Sequence, residues 1–226
     1  MKETICTIPV NEVFEEKCGC PICKMRNLIE TKYITYITGA AMMEPDIRVA
    51  TNKEGFCERH LLQMISDGHA RLPIALILQT HLEETEKKLL KAPAGDTAAK
   101  LGKLEESCFV CSYMEHHLAR HIDTLMRNYK SEPEFRLLFS QQEYLCLPHY
   151  KQLLVSGKKA LGRMYKEFSK VTHELALKRA KSLEGDIAGF VLAFDYRNAG
   201  KEVPAGSKDA IEKIIHYITS RHPSEK

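Results

Sequence analysis

The stretch Cys20-Pro-Ile-Cys23 recurs 88 residues later in the chain as Cys108-Phe-Val-Cys111. A second motif, Cys57-Glu-Arg-His60, recurs as Cys146-Leu-Pro-His149 after a shift of 89 residues. Further matched pairs keep the same order along the chain: Glu44-Pro45 with Glu132-Pro133, Arg48 with Arg136, Gly68 with Gly157, and Leu72 with Leu161. Because unrelated cysteine pairs would not share this order over about 50 residues, the sequence predicts a duplicated unit.

Each predicted copy has the apolar spacing of amphipathic helices. Apolar residues follow each CxxC pair at three- and four-residue steps, which is typical of a helix with one buried face. They are Met25, Leu28, Ile29, Tyr33, Ile37 and Ala40 in the first copy, and Tyr113, Leu118, Ile122, Leu125 and Met126 in the second. Pro45 and Pro133 are expected to end or restart a helix, and a second helix is expected near each CxxH motif. No alternating strand pattern is present, so we predict an all-α fold.

The predicted organisation is two tandem helical repeats, each with a Cys₃His metal knuckle, followed by a C-terminal helical segment. The first repeat spans 1–90, and a linker of small residues, proline and glycine spans 91–103. The second repeat, 104–181, is expected to run into a long helix from Lys158 onward, and 182–226 is expected to pack on the same domain. Gly68 and Gly157 are predicted helix breaks or bends, and Ser207 is the predicted N-cap of a last helix with an apolar face of Ile211, Ile214, Ile215 and Ile218.

Composition and the first residues of the chain indicate the compartment. The 33 Lys and Arg against 30 Asp and Glu give a net charge of +3, so no strong overall field favours a nucleic acid or a membrane. The N-terminal stretch is rich in glutamate and lacks the apolar run of a signal peptide, and no apolar stretch approaches the roughly 20 residues that span a bilayer. We therefore expect a cytoplasmic protein without membrane contact. In a reducing compartment, eight cysteines favour metal ligation over disulfides.

The paired motifs supply the donors that zinc prefers. Thiolate and imidazole suit tetrahedral zinc, and four protein donors leave no open position for water, which is typical of a structural site. We predict two zinc ions per chain, with the following candidate ligands: Cys20, Cys23, Cys57, His60, Cys108, Cys111, Cys146 and His149. An iron–sulfur cluster is the alternative for the same donors.

The pairing of the half-sites depends on how far the chain can return. A helix from Cys23 to Met43 covers roughly 30 Å. The return from Glu44 to Gly55 can span up to about 40 Å if it is extended. Closure within each copy is therefore the expected pairing. The crossed arrangement, with Cys20 and Cys23 sharing an ion with Cys146 and His149, is sterically allowed as well.

Several polar residues lie outside the duplicated motifs. Cys6 and Cys18 have no counterpart in the second copy, and Cys18 can be an ordinary residue, a replacement ligand or a sensing thiol. His117 and His121 are four residues apart on one helical face, which suits two ligands of a further metal or a simple packed face. The motif Phe194–Asn198 contains Asp195, Tyr196 and Arg197, which can form a hydrogen-bonded corner or a polar pocket.

The segment 158–181 carries eight basic residues against two acidic ones, namely Lys158, Lys159, Arg163, Lys166, Lys170, Lys178, Arg179 and Lys181 against Glu167 and Glu174. A basic helix can contact phosphates, so nucleic-acid binding through this segment is one alternative function. A solvated helix face is the simpler interpretation. No glycine-rich phosphate loop, GxSxG elbow or HExxH motif is present in the sequence, so no catalytic residues are predicted and enzyme activity is left open.

The motifs CPIC, GFCERH, CFVC, LCLPHY and FDYRN together carry a family resemblance. The chain resembles, over nearly its whole length, an uncharacterised bacterial family known only as a domain of unknown function. The resemblance implies a helical fold with the metal-binding motifs and implies no activity. We therefore expect a zinc-binding helical scaffold with an interaction or regulatory role and a protein partner. A metalloenzyme or an iron–sulfur or redox-sensing protein is the alternative.

Overall fold

A computed structural model of the chain describes residues 6–17, 19–66, 70–91, 95, 97–194 and 204–222. Within these ranges it contains eleven α-helices and no strand, which confirms the predicted all-α class. The helices are α1 (Ile8–Glu15), α2 (Pro21–Thr38), α3 (Pro45–Glu54), α4 (Glu58–Ser66), α5 (Arg71–Thr85), α6 (Thr97–Glu105), α7 (Phe109–Ser131), α8 (Pro133–Ser140), α9 (Leu147–Ala160), α10 (Tyr165–Ala193) and α11 (Ala210–Thr219). None of these described helices is both long enough and apolar enough to cross a membrane.

The helix starts follow the local sequence signals. Pro45 and Pro133 occupy the first positions of α3 and α8, where a missing N–H costs no helical hydrogen bond, so both restart a helix as predicted. The helices α2 and α7 each begin directly after the first cysteine of a CxxC motif, and α4 and α9 directly after the cysteine of a CxxH motif. Every candidate ligand therefore lies immediately before a helix or in its first turn.

The prediction that a long helix runs from Lys158 onward is wrong about where that helix begins. The helix α9 ends at Ala160, and α10 begins only at Tyr165 after a short 3₁₀ turn. Gly162 in this turn has a φ of 53°, a left-handed backbone conformation that glycine adopts without steric cost. The basic segment 158–181 is therefore divided between two helices and the turn that connects them.

Gly157 does not break its helix. It lies inside α9, where a Cβ atom would come within 2.7 Å of Cε1 of the Phe168 ring. The glycine is needed for this close approach of α9 to α10, which the local sequence does not reveal. Its sequence counterpart, Gly68, lies outside the described residues.

The predicted start of the last helix is also corrected. Ser207 lies in a 3₁₀ turn and is fully buried, and α11 begins at Ala210 with Asp209 at the N-cap position. The close approach of Gly189 to Ser207 holds that turn against α10, so tertiary packing overrides the capping preference of serine. Three of the four predicted face residues are exposed, namely Ile211, Ile215 and Ile218. Packing of α11 uses Ala210 and Tyr217 instead.

The chain divides into two compact units whose boundaries fall inside α2 and α7. Residues 26–118 form the contiguous unit, and the described residues up to Met25 and from Ala119 onward form the two-segment unit. The predicted division into 1–90, 91–103, 104–181 and 182–226 follows the sequence duplication and stays a prediction. Residues 97–103 of the predicted linker are part of α6.

The contiguous unit has a core of aliphatic and aromatic side chains. Its buried members are Tyr33, Ile34, Ile37, Met64, Ala70, Ile74, Ile77, Cys108, Phe109, Val110 and Met114. The rings of Tyr33 and Tyr113 stack nearly parallel, with their centroids 3.3 Å apart. Arg48 joins α3 to α5, because its Nη2 donates to the carbonyl oxygen of Leu76 at 2.5 Å and to Oγ1 of Thr80 at 2.8 Å.

The two-segment unit is built around aromatic side chains from distant parts of the sequence. Phe14 of α1 is fully buried, and its ring centroid lies 5.2 Å from that of Phe135 and 5.9 Å from that of Phe139, both on α8. Phe168 of α10 continues the cluster at 5.2 Å from Phe139 and 4.8 Å from Tyr129. The cluster holds α1, α7, α8 and α10 together around one apolar centre.

Candidate metal centres

Four donors meet in the two-segment unit: Cys20, Cys23, Cys146 and His149, all of them buried. The Sγ atom of Cys146 lies 3.8 Å from that of Cys20 and 3.5 Å from that of Cys23. Nδ1 of His149 lies 3.6 Å from Cys20 Sγ, 3.3 Å from Cys23 Sγ and 3.1 Å from Cys146 Sγ. The three thiols and the imidazole nitrogen thus surround one central point.

The connection between α1 and α2 leads into the first two of these donors. Lys17 and Gly19 in this connection have positive φ values of 48° and 65°. The N–H of Gly19 donates to a carboxylate oxygen of Glu143 at 2.5 Å. Glu143 lies just before Cys146 in the sequence, so this hydrogen bond joins the two loops that carry the four donors.

A second group of donors meets in the contiguous unit: Cys57, His60, Cys108 and Cys111. Nδ1 of His60 lies 3.2 Å from Cys57 Sγ, 3.2 Å from Cys108 Sγ and 3.5 Å from Cys111 Sγ. The Sγ atoms of Cys57 and Cys111 are 4.0 Å apart. His60 and Cys108 are buried, whereas Cys57 and Cys111 are partly exposed, so this group is the more accessible of the two.

Backbone and side-chain hydrogen bonds join the two loops of the second group. The N–H of Phe109 donates to the carbonyl oxygen of Gly55 at 3.0 Å. The hydroxyl of Ser107 donates to the carbonyl oxygen of Glu54 at 2.6 Å. Gly55 has a φ of 63°, so α3 ends there in a left-handed residue that turns the chain toward Cys57.

The structure corrects the expected pairing of the half-sites. Each CxxC motif meets the CxxH motif of the other sequence copy, so the crossed arrangement is present and closure within a copy is not. The physical reason is the return segment, which is the helix α3 of 10 residues instead of an extended strand. It covers about 15 Å, whereas the 18 residues of α2 lead away over about 27 Å. The helical return is therefore much shorter than the extended chain on which the expectation of closure within a copy rested.

The sequence as a whole also matches a known protein family. The family described as "Family of unknown function (DUF6062)" matches residues 1–225. The chain belongs to this family. Its membership confirms the resemblance that the paired motifs indicated. No curated protein and no solved structure matches the DUF6062 chain.

The donor spacing in the DUF6062 chain fits a single tetrahedral ion in each group. Bond lengths of about 2.3 Å to sulfur and 2.0 Å to nitrogen separate two sulfurs by about 3.8 Å, and sulfur from nitrogen by about 3.5 Å. The three sulfur separations given above, 3.5 to 4.0 Å, and the sulfur–nitrogen separations of 3.1 to 3.6 Å bracket these values, and all donor atoms of each group lie within 4.8 Å of one another. Both Cys₃His groups can therefore hold a metal ion.

The electrostatics of the two-segment group favour a cation. Burial raises the pKa of the Cys20 thiol, but its hydrogen bonds to Cys146, Cys23 and His149 outweigh burial and place the pKa well below its usual value. The pKa of Cys146 is raised to about 12, chiefly by its hydrogen bond to Cys20. The pKa of Cys23 is also raised, chiefly by its hydrogen bonds to Cys146 and Cys20. One thiolate thus suppresses ionisation of its neighbours, and a bound cation would remove that repulsion.

The second group shows the same pattern. Burial raises the pKa of Cys108, but the hydrogen bond to His60 and backbone hydrogen bonds at Cys57 and Cys111 together outweigh it and lower the pKa to about 6. Burial and the neighbouring charge of Cys108 raise the pKa of Cys111 to about 12. Burial lowers the pKa of His60, but hydrogen bonds to Cys108 and Glu30 outweigh it and raise the pKa to about 9. A metal must therefore displace a proton from His60 as well as from the thiols.

The remaining predicted residues of the DUF6062 chain do not join these groups. Among the described residues, the two Cys₃His sets are the groups of three or more donors that can hold a metal. Cys6 is exposed and free, and the ring of His117 stacks on Tyr113 at 4.0 Å between centroids. His121 joins neither set. Cys18 and Asp195, Tyr196 and Arg197 lie outside the described residues.

Sequence reasoning missed one residue beside the second group. Glu30 is 4% exposed, and one carboxylate oxygen lies 2.8 Å from Nε2 of His60 and pairs with the Arg59 guanidinium. A signal was present, because Glu30 is an acidic residue among the apolar positions of α2. Buried glutamates are rare without a partner, and the sequence did not show which partner it has.

Proposed function

We propose that this DUF6062 chain is a zinc-binding helical scaffold with two structural sites. The observation that supports this most directly is the convergence of eight donors into two complete Cys₃His sets at tetrahedral spacing. All four positions of each ion would be filled by protein atoms, which leaves no position for water or substrate. That arrangement favours a structural role over catalysis.

Zinc is proposed over an iron–sulfur cluster because of the donor separations. Sulfur atoms only 3.5 Å apart, such as those of Cys23 and Cys146, suit two bonds to one ion. A cluster distributes its thiolates over several irons and needs a wider cage, usually of four cysteines. Zinc also has no redox chemistry of its own, which agrees with a scaffold.

The proposed ions would fix the starts of four helices. In the two-segment unit one ion would join the first turns of α2 and α9, and in the contiguous unit the other would join those of α4 and α7. Because such sites do not exist in the unfolded chain, metal binding free energy becomes folding free energy. Metal removal is therefore expected to lower both helicity and thermal stability.

An interaction role with a protein partner is proposed from the exposed face of α11. Ile211, Ile215 and Ile218 are 44%, 40% and 53% exposed and follow helical spacing, so they lie on one side of the helix. Exposed apolar stripes of this kind are typical of protein contact surfaces. A cytoplasmic location is proposed because no disulfide joins the described cysteines, which agrees with a reducing compartment.

Elemental analysis of the purified chain tests the metal assignment. About two zinc ions per chain are expected, and a brown sample that contains iron and absorbs near about 400 nm would overturn the proposal for zinc. Chelation should lower the helical circular dichroism signal and the melting temperature. Cys6→Ser is the matched control, since Cys6 is exposed and outside both sets, and it should leave the zinc content unchanged. Unchanged melting after verified metal removal would contradict the structural role.

A further inference from the structure

We propose that Glu30 is a positioning residue that orients His60 toward the metal of the contiguous unit, and that this makes the two sites chemically unequal. The inference rests on the proposed function, because it requires that the Cys₃His sets bind metal. It adds a residue outside the donor motifs and assigns it to one site alone.

The two nitrogen atoms of His60 face different surroundings. Nδ1 is directed at the three thiols of Cys57, Cys108 and Cys111, at 3.2 to 3.5 Å. Nε2, on the far side of the ring, lies 2.8 Å from a carboxylate oxygen of Glu30. The side chain of His60 is completely buried, and that of Glu30 is 5% exposed, so this contact is shielded from water.

Metal binding determines which nitrogen carries the proton. A metal bound to Nδ1 uses the lone pair of that atom, so the ring proton must be on Nε2. The N–H at Nε2 then donates to Glu30, which fixes the tautomer and the ring plane and makes Nδ1 a stronger donor. The carboxylate therefore selects the form of His60 that can bind metal.

Arg59 makes the buried carboxylate compatible with this site. Three thiolates, one neutral imidazole and a divalent ion carry a net charge near −1, so an unpaired glutamate beside them would be repelled. The guanidinium of Arg59 pairs with the same oxygen of Glu30. Its Nη2 also lies 2.8 Å from Nε2 of His60, so it can donate to Nε2 in the neutral tautomer that carries its proton on Nδ1 and cannot bind metal there. Removal of the carboxylate would favour that tautomer.

The second sequence copy has neither residue. With the shift of 88, Glu30 aligns with Leu118, and with the shift of 89, Arg59 aligns with Pro148. The Glu30–Arg59 ion pair beside His60 thus has no aligned counterpart that could act on His149. The site of the two-segment unit is therefore an internal reference for any effect of changing Glu30.

Site-resolved thiol protection tests the inference on the full chain. Metal-free protein is equilibrated at a series of buffered free zinc concentrations and treated briefly with N-ethylmaleimide, and labelling is quantified by peptide mass spectrometry. Cys57, Cys108 and Cys111 report on one site, and Cys20, Cys23 and Cys146 report on the other. Half-protection of each set gives the free zinc concentration at which that site fills.

In Glu30→Ala we expect the half-protection concentration of the contiguous set to rise about tenfold or more, with the other set unchanged. Glu30→Gln keeps an oxygen that can accept from Nε2 and the size of the side chain, so its rise should be smaller. Glu105→Ala, at an exposed glutamate of the same unit, is the control and should change neither value. Circular dichroism at saturating zinc checks that each variant is folded.

Each remaining outcome contradicts the inference in a distinguishable way. Equal half-protection in wild type and Glu30→Ala would overturn the role of Glu30 while leaving zinc binding intact. An equal rise at both sets would show a general loss of stability instead of positioning. If Glu30→Ala does not fold, Glu30→Gln replaces it in the test. An unchanged half-protection concentration of the contiguous set in Glu30→Gln, together with an unchanged Co²⁺ absorption spectrum, would overturn the role of Glu30. Absence of zinc protection in the wild type would overturn both this inference and the proposed function.

Discussion

The Sγ atoms of Cys23 and Cys146 lie 3.5 Å apart, although 123 residues separate them in the sequence. Cys23 belongs to the first copy of the duplicated motifs and Cys146 to the second. Each predicted copy therefore supplies half of each donor set. The copies depend on each other for both candidate sites.

Cys146→Ser is expected to empty the site of the two-segment unit and to lower the zinc content from about two to about one ion per chain. Because Cys146 belongs to the same set as Cys20 and Cys23, its loss should increase the alkylation of those two cysteines. Cys108 and Cys111 should stay protected. Mass spectrometry of the labelled peptides measures this directly. Pairing within a copy predicts the reverse pattern, with Cys108 and Cys111 deprotected, and that result would refute the crossed arrangement.

Cys57→Ser is the reciprocal case. It should deprotect Cys108 and Cys111 and leave Cys20 and Cys23 protected, because Cys57 shares the set of the contiguous unit. The two serine variants together separate crossed pairing from a general loss of folding. If either variant deprotects all of the motif cysteines, the two sites are not independent.

Gly157→Ala is expected to destabilise the chain, although alanine is normally the better helix residue. Its Cβ would lie 2.7 Å from Cε1 of Phe168, and relief of that overlap should cost about 1 to 3 kcal/mol. Gly185→Ala, at an exposed helical site with no neighbour within 4 Å, should instead stabilise by roughly 0.5 to 1 kcal/mol. Urea unfolding at saturating zinc measures both. Opposite signs are required, and a stabilising Gly157→Ala would contradict the packing of α9 on α10.

Phe14→Ala should cost about 3 to 5 kcal/mol, as expected for a fully buried aromatic side chain. The ring lies between Phe135 and Phe139 of α8, so its loss leaves a cavity between α1 and α8. Leu137→Ala is the control, because Leu137 is on the same helix but 61% exposed, and it should change stability by under about 1 kcal/mol. Similar losses in the two variants would show that α1 does not belong to this core.

Arg48→Met should lower the stability of the contiguous unit by about 1.5 to 3 kcal/mol, the range for a hydrogen bond from a charged donor. The substitution keeps most of the aliphatic stem and removes the bonds to the carbonyl of Leu76 and the hydroxyl of Thr80. Arg71→Met, at an exposed arginine of α5, should have an effect below about 0.5 kcal/mol. A thermal melt monitored at 222 nm provides the comparison. Equal effects would mean that α3 and α5 are not joined through Arg48.

The eight donors could be predicted from sequence because CxxC and CxxH motifs concentrate zinc-preferring side chains at fixed spacing. Their pairing could not, since the reach of an extended chain is an upper limit and says nothing about direction. The segment Pro45–Glu54 is a helix of about 15 Å instead of an extended strand, and His60 lies with Cys108 and not with Cys20.

Two further differences have local physical causes. Periodicity correctly shows that Ile211, Ile215 and Ile218 share a face, but it does not show whether that face is covered. The role of Glu30 could not be assigned from sequence because an acid on an apolar face becomes interpretable only when its buried partners are known, and its partners Arg59 and His60 come from another helix, α4.

The crossed pairing also determines the order in which the two donor sets are completed during translation. Cys20 and Cys23 are made first, but their partners Cys146 and His149 are translated after the whole contiguous unit. At about 5 to 20 residues per second, those two thiols wait several seconds longer for their partners than Cys57 and His60 wait for theirs. The first of the proposed metal-binding cysteines to be translated are thus among the last to be sheltered from oxidants and competing metals in the cell.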